Sequence, residues 1–243
     1  MSDIELDRSN HGGSRVRVWD MPVRVFHWAL VLSFGAAYLL GDSERWRQIH
    51  VMFGYTVLGL ITFRILWGFI GTHYARFTSF AYGPQAALRY VGSLFSRSPE
   101  HHIGHNPAGS WAVYAILTLG IATGVTGYLT LNEIGGDAFE EAHEVLANAW
   151  LVVVFVHVAG VIASSFAHRE NLAKAMVTGY KRRSSASGSD SVSSDSPGRP
   201  IVGAMIATAV IVFWVASLLT GGAAINNGTA QTTMAEDADH DDD

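Results

Sequence analysis

Cysteine is absent from all 243 residues. That excludes disulfides, iron–sulfur clusters, thiolate metal sites and covalently attached c-type haem, so a redox cofactor would have to be held by histidine or methionine. Charge is scarce as well. Asp, Glu, Lys and Arg make up 15% of the chain and hydrophobic residues 49%, where a soluble domain carries about 25% charged residues. The mean hydropathy is +0.22. This composition excludes an ordinary soluble domain and reads as a membrane protein. The net charge of -5 hides a segregation: basic residues gather near the N-terminus and at 169–183, while the last eight residues are nearly all acidic. No cleavable signal peptide is expected, because the first apolar run leads into Gly41-Asp42-Ser43-Glu44-Arg45 and not into a small-residue cleavage site.

What is there is a succession of apolar runs. Residues 1–20 read as a polar cytoplasmic tail without structure of its own, and 21–183 as one four-helix membrane domain with spans at about 24–41, 49–70, 110–131 and 143–167, each near the 20 residues a bilayer core requires. Pro84 to Phe95 suggests a short amphipathic surface helix. Residues 184–200 form a Ser-rich linker, 201–221 a fifth span, and 222–243 an acidic outer tail. Lys and Arg flank the cytoplasmic ends, and the loop with Glu133, Asp137, Glu140 and Glu141 lies outside. The fold class is therefore all-α and integral to the membrane: a four-helix bundle plus a tethered fifth helix, in a bacterial cytoplasmic membrane, with the N-terminus inside and the acidic tail in the periplasm.

Ionisable residues within spans are costly and are usually functional. His143 and His157 stand fourteen residues apart on one apolar stretch, which in a helix is about 21 Å of rise and a return to nearly the same face. His27 begins the first span at the inner side, and His50 begins the second at the outer side. Depth sorts the four into an outer pair, His50 with His143, and an inner pair, His27 with His157. Two bis-histidine sites without nearby acidic ligands suit haem iron, whereas zinc would need a third or fourth ligand at the same depth. A histidine at a helix end can also be satisfied by backbone or head groups, which leaves His157, in mid-span, the most telling. Arg64 follows His50 by fourteen residues, shares its face, and reaches the depth of the inner pair. A guanidinium there can pair with a haem propionate or snorkel to head groups. Gly41 lies at the depth of the outer pair, and Gly120, Gly124 and Gly127 permit close helix or cofactor approach. His73, His101, His102, His105 and His168 read as solvated or interfacial.

Arg24-Val-Phe-His27-Trp28, Ile49-His50-Val-Met-Phe-Gly54-Tyr55, Arg64-Ile-Leu-Trp67-Gly68, Gly104-His105-Asn106-Pro107, the His143…His157 helix and His168-Arg169-Glu170-Asn171-Leu172 resemble the bacterial cytochrome b561 and nickel–iron hydrogenase b-type cytochrome family over about residues 16–183. The resemblance implies a membrane subunit of a respiratory chain that carries two b haems. It would pass electrons between a quinone pool and a partner protein, such as a periplasmic c-type cytochrome or a hydrogenase-like subunit. By motif position His27, His50, His143 and His157 match the haem ligands. No nucleic-acid partner is expected. The linker, fifth helix and acidic tail depart from the family's core. Two other readings stand beside it: a proton or ion pathway that uses the same histidines, and a haem-bearing assembly or sensor subunit.

Overall fold

The structure is a computed structural model that describes residues 15–96, 99–182 and 198–239. The Ser-rich linker up to residue 197, the first fourteen residues and the last four lie outside the described residues. Five helices among the described residues are long and apolar enough to cross a membrane. In chain order the elements are strand β1 (Arg15–Arg17), α1 (Met21–Leu40), α2 (Arg47–Ile70), α3 (Pro84–Ser93), α4 (Pro107–Leu131), α5 (Asp137–His168), α6 (Leu172–Thr178), strand β2 (Tyr180–Arg182) and α7 (Pro200–Asp239).

Local chemistry sets the helix starts. Asp20 caps α1, its Oδ1 accepting from the Val23 N–H at 2.9 Å, with Pro22 in the first turn. Asn106 caps α4 by accepting from Gly109 N–H at 2.7 Å, and Pro107 opens that helix. Both arrangements satisfy backbone donors that a helix start leaves free, and both place proline where its missing N–H costs nothing. Asp137 and Glu140 lie in the first turn of α5, where the helix dipole favours acids.

Short turns make α1 and α2 an antiparallel pair and α4 and α5 another, and α2 packs on α4 to join the pairs. Phe26, Leu30, Val57, Leu60, Ile61, Leu117 and Trp150 form the core between them. Helix α5 reaches α1 mainly by side chains, with Trp150 4.3 Å from Phe34 ring to ring and Asn148 Oδ1 accepting from Tyr38 OH at 2.6 Å. The outward faces stay apolar: Val152, Phe155 and Val156 are exposed, as expected of a surface that meets lipid. The chain is a multi-pass membrane protein.

One end of the bundle is closed by a two-stranded ribbon in which Val16 pairs with Lys181, antiparallel. Gly179, with φ +88°, turns the chain from α6 into β2, and its backbone lies so close to Trp19 O that a Cβ would come within 2.7 Å. Only glycine combines that φ with that approach. A second cluster of Val18, Trp19, Val23, Trp67, Ala75 and Ala175 packs beneath the ribbon.

Three expectations need correction. Residues 15–20 are not a loose tail, because β1 pairs with β2 and Val18, Trp19 and Asp20 are buried. The fourth span begins at Asp137 and not at 143, since the acids ahead of His143 form helix. The last helix continues from 221 to Asp239, through residues read as an acidic tail.

Candidate functional site

His50 and His143 face each other at the end of the bundle opposite the ribbon. Their ring centroids lie 6.0 Å apart with planes at 84°. His50 Nδ1 is 2.8 Å from Ala37 O, and His143 Nδ1 is 2.9 Å from Thr123 O. Donation of each Nδ1–H to a carbonyl leaves Nε2 as the free lone pair and fixes the ring's direction, the arrangement typical of a metal-binding imidazole. Two metal–nitrogen bonds of about 2 Å each plus two ring radii span about the observed separation. The ring of His143 lies against α4 at Gly127, where a Cβ would come within 2.7 Å of His143 Cε1. A Cβ at Gly41, the residue that ends α1, would lie 3.7 Å from His50 Cε1. Glycine at 127 keeps the wall beside His143 thin, whereas a Cβ at Gly41 would make only ordinary contact with His50.

His27 and His157 occupy the half of the bundle nearer the ribbon. Both are half-buried and within electrostatic reach of each other. His27 Nδ1 is buried without a hydrogen-bond partner, and its ring abuts Trp28 at 5.0 Å. On α5 the fourteen steps from His143 put His157 about 21 Å along the helix. The structure thus brings His50 and His143 ring to ring and leaves His27 and His157 within electrostatic reach of each other.

Arg64 is 3% exposed, so it does not snorkel to head groups. Its guanidinium lies 5.0 Å over the Phe77 ring and 6.0 Å over Phe80. Trp67 is also buried and donates from Nε1 to Asp20 Oδ2 at 3.0 Å. Thr72 Oγ1 donates to the same oxygen at 2.7 Å. Asp20 therefore ties α1 to the end of α2.

Sequence reasoning missed two histidine positions. His105 is not solvated: its ring lies 4.2 Å from Phe80 and 4.6 Å from Trp19, and its Nδ1 is buried without a partner. Burial, with Arg64 and Lys181 nearby, holds its pKa well below the usual histidine value. His102 packs against Tyr82 and Tyr90 at 5.7 and 5.6 Å. The adjacent Pro107 and the remote Trp19 and Phe80 gave no local signal of this burial. His101 and His168 approach ring to ring at 5.3 Å, and His168 Nε2 lies 3.2 Å from Tyr90 OH.

Among the described residues no three His, Cys, Asp or Glu side chains converge to hold a metal ion. The donor set is therefore imidazole in pairs, buried among apolar helices. Such pairs fit a metal whose equatorial positions are filled by a macrocycle, and they do not complete a tetrahedral shell. Fold and site together define a membrane b-type cytochrome.

The comparisons agree. The family profile described as prokaryotic cytochrome b561 matches residues 18–179, and the chain belongs to that family. The "Probable Ni/Fe-hydrogenase B-type cytochrome subunit" of Bradyrhizobium diazoefficiens is 23% identical over 218 residues, covering 70% of this chain and 87% of that protein. Its counterpart from Azotobacter vinelandii is 26% identical over 214 residues, 68% of this chain and 88% of the relative. The "Probable Ni/Fe-hydrogenase 1 B-type cytochrome subunit" of Escherichia coli K12 is 23% identical over 211 residues, 68% and 89% of the two chains. No solved structure matches.

Proposed function

We propose that the chain binds two b haems, one between His50 and His143 and one between His27 and His157, and carries electrons across the membrane between them. Bound haem supplies a one-electron ferric–ferrous couple. The protein's part is to fix the imidazoles, exclude water and set the charge around each site. The observation that carries the reading is the His50–His143 geometry, 6.0 Å between centroids with both Nδ1 atoms engaged on backbone carbonyls. The second pair rests on depth, burial and mutual reach, with Arg64 beside it as the residue to meet a propionate.

The basic residues Arg17, Arg24, Lys174 and Lys181 at the ribbon end support a cytoplasmic position for that end in a bacterial inner membrane. His27 and His157 then form the inner site, His50 and His143 the outer. Quinone is the diffusible partner we assign, and the names of the relatives support a hydrogenase-like redox subunit as the protein partner, with a periplasmic c-type cytochrome the alternative.

Haem quantification and reduced-minus-oxidised spectra of the purified chain test this. His50→Ala and His143→Ala should each remove one haem, and His27→Ala and His157→Ala the other. A chain that shows no b-type band, or a single substitution that leaves two haems, would sink the proposal.

A further inference from the structure

Two buried polar groups near the inner pair lack a hydrogen-bond partner. Arg64 Nη1, on α2, and His105 Nδ1, on the loop before α4, are both buried without a hydrogen-bond partner among the described residues. No carboxylate of the described residues forms an ion pair with Arg64. Asp20 is within its electrostatic reach. Both Asp20 oxygens, however, are already engaged, Oδ1 by Val23 N–H and Oδ2 by Trp67 and Thr72. A guanidinium held this deep is costly unless an anion meets it.

The two groups share a wall. Phe80 lies under both, 6.0 Å from the Arg64 guanidinium and 4.2 Å from the His105 ring, and Trp19 packs on the His105 ring at 4.6 Å. Lys181, buried and donating to Gly104 O at 3.1 Å, adds positive charge within reach of His105. The surroundings therefore favour an anion with oxygen acceptors, and a planar carboxylate suits the Arg64 fork. Its position narrows the source. Arg64 follows His50 by fourteen residues on α2, about 21 Å along the helix and so at the depth of the inner histidine pair, and His157 lies within electrostatic reach of His105.

We propose that Arg64 and His105 together hold the propionate carboxylates of the inner haem, Arg64 through its guanidinium and His105 through an Nδ1–H. The assignment rests on the inner pair being a haem site. It adds a residue from a loop that the spans do not contain, and it makes that loop part of the cofactor pocket.

Resonance Raman spectra and redox titrations of the full-length haem-loaded chain separate this from a purely structural role. In Arg64→Leu and in His105→Phe the propionate bending bands of one haem should shift, while the bands that report iron coordination stay. That haem's midpoint should move to more negative potential, because losing the Arg64 cation, or the neutral His105 hydrogen bond to the carboxylate, favours the ferric state, and the outer midpoint should not move. Arg64→Lys, which keeps the charge but loses the fork, should retain most of the potential and still shift the bands. Unmoved propionate bands in Arg64→Lys and His105→Phe overturn the proposal, whatever becomes of Arg64→Leu. A wild-type midpoint that responds to added inorganic phosphate, with the response lost in Arg64→Leu, also overturns it, by showing a free anion at the site. Failure of the haem reading itself looks different: His27→Ala and His157→Ala would then leave the haem content unchanged.

Discussion

His50 and His143 come from different helix pairs, yet their rings stand 6.0 Å apart, and each is aimed by a carbonyl of the helix that precedes its own. Ala37 of α1 orients His50 of α2, and Thr123 of α4 orients His143 of α5. Helix packing thus sets the imidazole directions, and the site needs no polar second layer of its own. Gly127 is the sensitive point of this arrangement. Gly127→Val places a branched side chain where even a Cβ would come within 2.7 Å of the His143 ring. It should cost the outer haem or shift its midpoint while leaving the inner haem in place. Spectral titration resolves the two, and an unchanged outer component would mean that the ring moves aside freely.

Asp20 carries more of the fold than its place near the terminus suggests. Asp20→Ala removes a helix cap, worth about 1 kcal/mol, and leaves the buried Trp67 Nε1 and Thr72 Oγ1 without their acceptor, at about 1 kcal/mol each. Thermal or denaturant unfolding in detergent should therefore show a loss of about 3 kcal/mol, and a smaller one for Asp20→Asn, which keeps an accepting oxygen. A variant within 1 kcal/mol of the wild type, to about the precision of such measurements, would contradict the network.

The spans and the meeting of His50 with His143 were legible because hydropathy and helical periodicity are local. Fourteen residues between His143 and His157 fix face and depth without any knowledge of neighbours. What stayed hidden depends on contacts remote in sequence. Trp67 and Thr72 reach Asp20 across 47 and 52 residues, and β1 meets β2 through three residues on each side, too few to show a period. His105 looks like a loop residue until Trp19 and Phe80 close over it. The run from 222 to Asp239 reads as an acidic outer tail, yet it continues α7.

Lys181 gives a pH signature. It is 8% exposed, and burial lowers its pKa from 10.5 to about 8, with Glu170 acting in the opposite direction. The folded chain therefore gives up this proton more readily than the unfolded chain does. Below pH 8 both states hold the proton and the burial cost is present in full. Between about 8 and 10.5 the unfolded state binds more protons, so stability rises with pH. Lys181→Met should remove this contribution. The difference between the wild-type and Lys181→Met unfolding curves should narrow or reverse as pH rises through that window, and a difference independent of pH would refute the burial argument.

Helix α7 carries none of the residues assigned to haem. It packs along α1, with Ile206 and Val210 against the core that holds Phe26 and Leu30, and it reaches α2 through Trp214, which donates to Thr56 Oγ1 at 2.9 Å and packs on Phe53 at 5.2 Å. As one helix of 40 residues it rises about 60 Å, twice the bilayer core, so its second half projects beyond the face that bears Glu133, Asp137, Glu140 and Glu141. Glu236, Asp237 and Asp239 lie in that second half. Truncation after Leu219 should leave both haem midpoints unchanged. It should slow electron exchange with a basic c-type cytochrome at low salt, with the difference vanishing at high salt and absent for an acidic cytochrome. Stopped-flow reduction at several ionic strengths measures this, and equal rates and salt slopes for the two chains would make the projecting acids a solvated end with no part in steering.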